Sequence, residues 1–72
     1  MKVVTPDQYV DELNMALQAD EDFTPGMRFL SHPRGATGGG ITGYAWEGPH
    51  EKTIVFARVA LRVAVGCQIF YL

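Results

Sequence analysis

Cysteine is almost missing from this chain: Cys67 is the only one among 72 residues. No disulfide can form within one copy, so that support for a small domain is excluded. A lone thiol inside an apolar run is expected to be buried and unreactive, in a reducing compartment. Metal-ligand patterns are missing too. His32, His50 and Cys67 fall at none of the usual ligand spacings, so no metal and no other cofactor is expected.

Charge is scarce, at 19% of residues, and the net value is −2. There is no basic stripe, so no nucleic-acid partner is expected. Met1 to Pro6 carries one lysine and no apolar stretch, so no signal peptide is read and the expected location is cytoplasmic. A membrane span over 54–72 is excluded by Arg58 and Arg62, each costing about 2.5–3.5 kcal/mol near the centre of a spanning helix. No membrane partner is expected. Internal repeats are also lacking.

Hydrophobic residues, by contrast, make up 47% of the chain. They concentrate at the C-terminal end, where Arg58, Arg62 and Gln68 are the only strongly polar residues between Ile54 and Leu72. A chain this short has little interior in which to bury such a segment. Part of that surface is expected to meet another chain. The charge is uneven as well. Residues 1–25 hold six acidic side chains against Lys2 alone, whereas residues 26–72 hold five basic and two acidic ones.

The strongest local signal is Thr5-Pro6-Asp7-Gln8. Thr5 can cap a helix, Pro6 suits its first position, and Gln8 completes a capping box. Tyr9, Leu13, Ala16 and Leu17 then recur with helical period. This predicts a helix from about Pro6 to Ala19. Asp20-Glu21-Asp22 opposes the dipole at a helix C-terminus and marks the exit. Phe23-Thr24-Pro25-Gly26 reads as a turn, in which Pro25 and Gly26 suit positions i+1 and i+2 of type II. Met27–His32 and Ile41–Glu47 are expected to be antiparallel strands around the glycine-rich loop Pro33–Gly40, with Thr42, Tyr44 and Trp46 on one face.

The segment after Pro49 is ambiguous. Val55, Ala57, Val59, Leu61, Val63 and Val65 alternate as a strand would, but the run is too long for one strand. Length favours a helix from about Pro49 to Val65, with Gly66 as its left-handed terminator and a final strand from Cys67 to Leu72. A long or broken strand is the competing reading. The expected fold is α+β: one small domain over residues 1–72, in the order α-β-β-α-β, with a three-stranded, mainly antiparallel sheet and helices on one face.

No constellation of catalytic residues stands out. Ser31 and His32 are strand neighbours and point to opposite faces. Glu47 and Glu51 read as solvated surface. An enzyme is therefore the less favoured expectation, and binding the more favoured one. The chain is expected to self-associate, as a dimer first, through Val55, Arg58, Val59, Arg62 and Phe70. Arg58 and Arg62 would meet Glu47, Glu51 or the acidic first helix of a second copy. The role is regulatory or adaptor-like, with another protein as a further partner. The alternative is a binder of a phosphate-bearing metabolite, or a minor enzyme, with a site at a subunit boundary. Arg34, Gly38, Gly39, Tyr44 and Trp46 would form it, because glycine N–H groups and an arginine suit an anion and aromatics suit a ligand floor. A third reading is nucleic-acid binding through Arg28, Arg34, Lys52, Arg58 and Arg62.

Overall fold

A computed structural model describes residues 2–70 of the chain. It begins with a short strand, β1 (Lys2–Val4), which leads directly into helix α1 (Pro6–Gln18). The capping box forms as the sequence implies. Gln8 N–H donates to Thr5 Oγ1 at 3.3 Å, and Thr5 N–H donates back to Gln8 Oε1 at 3.0 Å. Tyr9, Leu13 and Leu17 make the buried stripe of α1.

Thr24–Met27 closes a turn in which Met27 N–H donates to Thr24 C=O at 3.3 Å. Gly26 sits there with φ +97°, the left-handed value that the third position of a type II turn requires. Strand β2 (Arg28–His32) follows, then the loop with a short 3₁₀ turn at Gly38–Gly40, then β3 (Gly43–Glu47). β2 and β3 pair antiparallel, with Phe29 opposite Trp46 and Ser31 opposite Tyr44. A 3₁₀ turn at His50–Lys52 leads into helix α2 (Thr53–Gly66), so the length argument chose correctly over the alternation.

Three expectations need correcting. Among the described residues there is no three-stranded sheet: two separate two-stranded sheets form, β2 with β3, and β1 with the last strand β4 (Cys67–Ile69). The β1–β4 pair is parallel, matching Lys2 with Cys67 and Val4 with Ile69. The order is therefore β-α-β-β-α-β, because Lys2-Val3-Val4 is a strand that the sequence reading left out. Gly66 is not a left-handed terminator. It stays within α2, and extended Cys67 (φ −132°) takes the chain straight into β4, its N–H donating to Val63 C=O. Of the remainder of the predicted final strand, Phe70 lies past the end of β4 with its N–H donating to Val4 C=O at 2.7 Å, and Tyr71 and Leu72 lie outside the described residues.

One hydrophobic cluster joins β1, α1, β2 and α2. Leu13 and Leu17 of α1, Phe29 of β2 and Phe56 and Val59 of α2 lie at its centre, nearly or fully inaccessible to water. Phe23 and Cys67 pack against it from the side. At Gly48 the backbone passes so close that a Cβ there would lie 3.0 Å from Phe56 Cζ.

Candidate functional site

Two surfaces collect the residues of interest: the outer face of α2, and the hairpin β2–β3 with its loop. On α2, the period of 3.6 divides the helix cleanly. Val55, Phe56, Val59, Ala60 and Val63 point into the core. Ile54, Leu61 and Val65 point outward and are 76%, 69% and 71% exposed. Val55 and Val59, named from sequence as interface residues, are thus corrected. At 5% and 0% exposure they are core of their own copy. The apolar surplus is presented by Ile54, Leu61, Val65 and, beyond β4, Phe70 at 54%. Helical phase sets Ile54, Leu61 and Val65 apart from Val55 and Val59, and which of the two faces is buried depends on what α2 packs against.

Arg58 and Arg62 flank the same face. Neither meets Glu47 or Glu51. Arg58 Nη2 lies 2.8 Å from Asp20 Oδ1 and 3.0 Å from Asp22 Oδ2, and Arg62 Nη1 reaches 4.0 Å from Asp20 Oδ2. The acidic exit of α1 is therefore neutralised by α2 of the same chain. Asp20 is the buried charged residue of the core region. The Asp22 N–H, donating at 2.9 Å, and the Arg58 guanidinium hold its carboxyl below the ordinary value, against the opposing effect of burial. Asp22 and Asp20 in turn hold the Arg58 guanidinium above its ordinary value.

On the hairpin, Tyr44 and Trp46 share a face, as alternation requires. That face turns towards both helices. Trp46 stacks on Phe56 with ring centroids 5.6 Å apart and planes 9° apart. Tyr44 lies 6.4 Å from Tyr9 and 5.7 Å from Phe29. Burial raises the Tyr9 hydroxyl above its ordinary value. Tyr44 and Trp46 form the rim of the core and remain 39% and 41% exposed. A small hollow of about 20 Å³ lies beside Tyr44, lined by Tyr9, Val10, Ile41 and Ile69 among others. Ligand pockets usually run from about 300 to 1,000 Å³.

The glycine loop does not converge on a shared anion position. Gly38 N–H donates to Asp7 Oδ2 at 2.8 Å, so a carboxylate of α1 occupies that donor. Arg34 turns away, with Nη2 3.2 Å from Glu47 Oε2, and Arg28 Nη2 reaches the same carboxylate at 3.3 Å. Gly39 has no neighbour within 4 Å of an added Cβ position. Ser31 Oγ donates to Ala36 C=O at 3.2 Å, which gives the hydroxyl a structural partner. Lys52 Nζ donates to Asp22 C=O at 3.3 Å. The five basic residues considered for nucleic acid thus divide between the hairpin and the α1 exit, and each has a partner in the chain.

Among the described residues no three His, Cys, Asp or Glu side chains are placed to hold a metal ion, and no helix is long and apolar enough to cross a membrane. The comparisons leave the chain to be read from its own chemistry: no family model, no curated protein and no solved structure matches it.

Proposed function

We propose that this protein is a small interaction module, regulatory or adaptor-like, that self-associates through the outer face of α2. The observation that carries the reading is the stripe Ile54, Leu61 and Val65, each more than two-thirds exposed on one side of the helix. Scattered exposed apolar residues are ordinary, but three large ones aligned on one helix face, with Arg58 between Ile54 and Leu61, support a protein contact there. Asp20 and Asp22 offset the charge of Arg58 beside it, which lowers the repulsion between two like surfaces. Ala57 and Ala64 lie on the other flank and admit close approach. In an antiparallel pair of α2 helices crossing near Val59, Ile54 faces Ala64 and Leu61 faces Ala57, large against small. Such a contact is isologous and closes as a dimer.

The ligand reading is the less favoured one, because the Gly38 donor already holds Asp7 and Arg34 points to Glu47. The test is absolute mass by light scattering after a sizing column, at several loading concentrations. The expected value is at least twice the 7.9 kDa of one chain. Leu61→Glu, on the exposed face, is expected to lower that mass while leaving the helical circular-dichroism signal unchanged. A Leu61→Glu protein with wild-type mass would refute this interface.

A further inference from the structure

The outer edge of β3 is a second candidate surface, and its geometry follows from how β2 is finished. On the far side of β2, the Asn14 side chain of α1 pairs with Phe29 as a neighbouring strand would. Phe29 N–H donates to Asn14 Oδ1 at 2.7 Å, and Asn14 Nδ2 donates to Phe29 C=O at 3.1 Å. Both backbone groups of Phe29 therefore point away from β3. In an antiparallel ladder, pairs that exchange hydrogen bonds alternate with pairs that do not. Phe29–Trp46 and Ser31–Tyr44 are then pairs of the second kind. It follows that Trp46 and Tyr44 turn their N–H and C=O groups outward, on the side of β3 away from β2.

No other strand pairs with that side among the described residues. The edge strand Gly43-Tyr44-Ala45-Trp46-Glu47 contains no lysine and no proline, and its one charged residue, Glu47, lies at its end. The helix thus closes one edge of the hairpin and leaves the other open, with two half-exposed aromatic rings beside it.

We infer that a second copy of this chain pairs antiparallel with β3, edge to edge, about a two-fold axis through Ala45. The outward groups are self-complementary in this register. Tyr44 of each copy faces Trp46 of the other, and the two pairs exchange their N–H and C=O groups. Ala45 meets Ala45 at the closely spaced position between them, where a small side chain fits. Glu47 falls opposite Gly43 of the second copy rather than opposite another acid. Beyond Gly43 on the same face lies His32, its partner across the hairpin. Glu47, held by Arg28 and Arg34 of its own copy, thus meets a residue with no side chain at each end of the ladder. The result is a continuous four-stranded sheet, with Tyr44–Trp46 aromatic pairs on one face. This contact is distinct from the α2 face and does not rest on it.

The position on the axis gives a decisive test. Ala45 is exposed and faces away from the helices, so Ala45→Lys and Ala45→Glu leave the core untouched. Each variant alone sets like charges directly opposite, whereas a mixture sets Lys against Glu. Each variant is expected to fall below the wild-type mass by light scattering, whether or not the α2 contact persists, and an equimolar mixture to return to it. Ala45→Ser, with no charge, is expected to keep the wild-type mass. Circular dichroism and Trp46 emission of the separate variants verify their fold. Single variants that retain wild-type mass, or a mixture that stays at the lowered mass, would overturn the inference. The outcome is separable from that of Leu61→Glu. A wild-type dimer abolished by the Ala45 charges and indifferent to Leu61→Glu leaves the strand contact and removes the helix one.

Discussion

Asp20 stands where the acidic exit of α1 meets the arginines of α2. Its carboxylate accepts from Asp22 N–H at 2.9 Å and from Arg58 at 2.8 Å, at only 8% exposure. Its folded-state value lies below the ordinary 3.8. The unfolded chain therefore binds the proton first as pH falls. The stabilisation is fully present above the unfolded value and is lost as pH drops through the folded one. Thermal unfolding between pH 6 and pH 2.5 is expected to show the melting temperature falling below about pH 4. Asp20→Asn should lower it at pH 6 and flatten the acid dependence. Identical slopes for the two proteins would contradict this role. The sequence marks 20–22 only as a helix exit. That Asp20 also receives Arg58, 38 positions later, depends on how the helices pack.

At the scale of elements, α1 does more than supply a core face. Asn14 lies on its flank and closes the edge of β2 at Phe29, so one amide side chain replaces a strand. Asn14→Ala leaves a partly buried N–H and C=O without partners, at a cost of about 1–3 kcal/mol. Urea unfolding is expected to show that loss, and Asn14→Asp, which keeps the acceptor but not the donor, should fall between. A loss no larger than that of an ordinary surface change would mean water serves Phe29 equally well. α1 itself was legible, because Thr5, Pro6 and Gln8 act within one turn and its apolar spacing is periodic. The second helix was legible from length rather than pattern, since its alternating valines suit both structures. β1 was missed: three residues carry too little periodicity, and their partner lies 65 positions away.

The whole molecule hangs on few side chains. Phe56 is fully buried, stacks on Trp46 of the hairpin and lies 5.3 Å, edge to face, from Phe29. A domain of this size is expected to have about 4–10 kcal/mol of stability. Phe56→Ala should remove about 3–5 kcal/mol, a large share of that total. The expected outcome is a steep fall in the melting temperature, with helical ellipticity and Trp46 emission changing together. An altered Trp46 emission on fully retained helices would show instead that hairpin and helix pair are separate units.

The sequence by itself determined the local pieces: the capping box, the type II turn at Gly26, the two helices, the hairpin and the apolar surplus of its last third. Each of these is fixed by residues a few positions apart, through steric preference, hydrogen bonding within a turn, or period. Only the tertiary structure decided that the strands form two pairs rather than one sheet, with β1 beside β4. It alone showed Val55 and Val59 buried while Ile54, Leu61 and Val65 face outward, and it matched Arg58 to Asp20 and Gly38 to Asp7. Those outcomes depend on which surfaces meet once the chain has collapsed, and contacts between residues tens of positions apart leave no periodic trace along the chain.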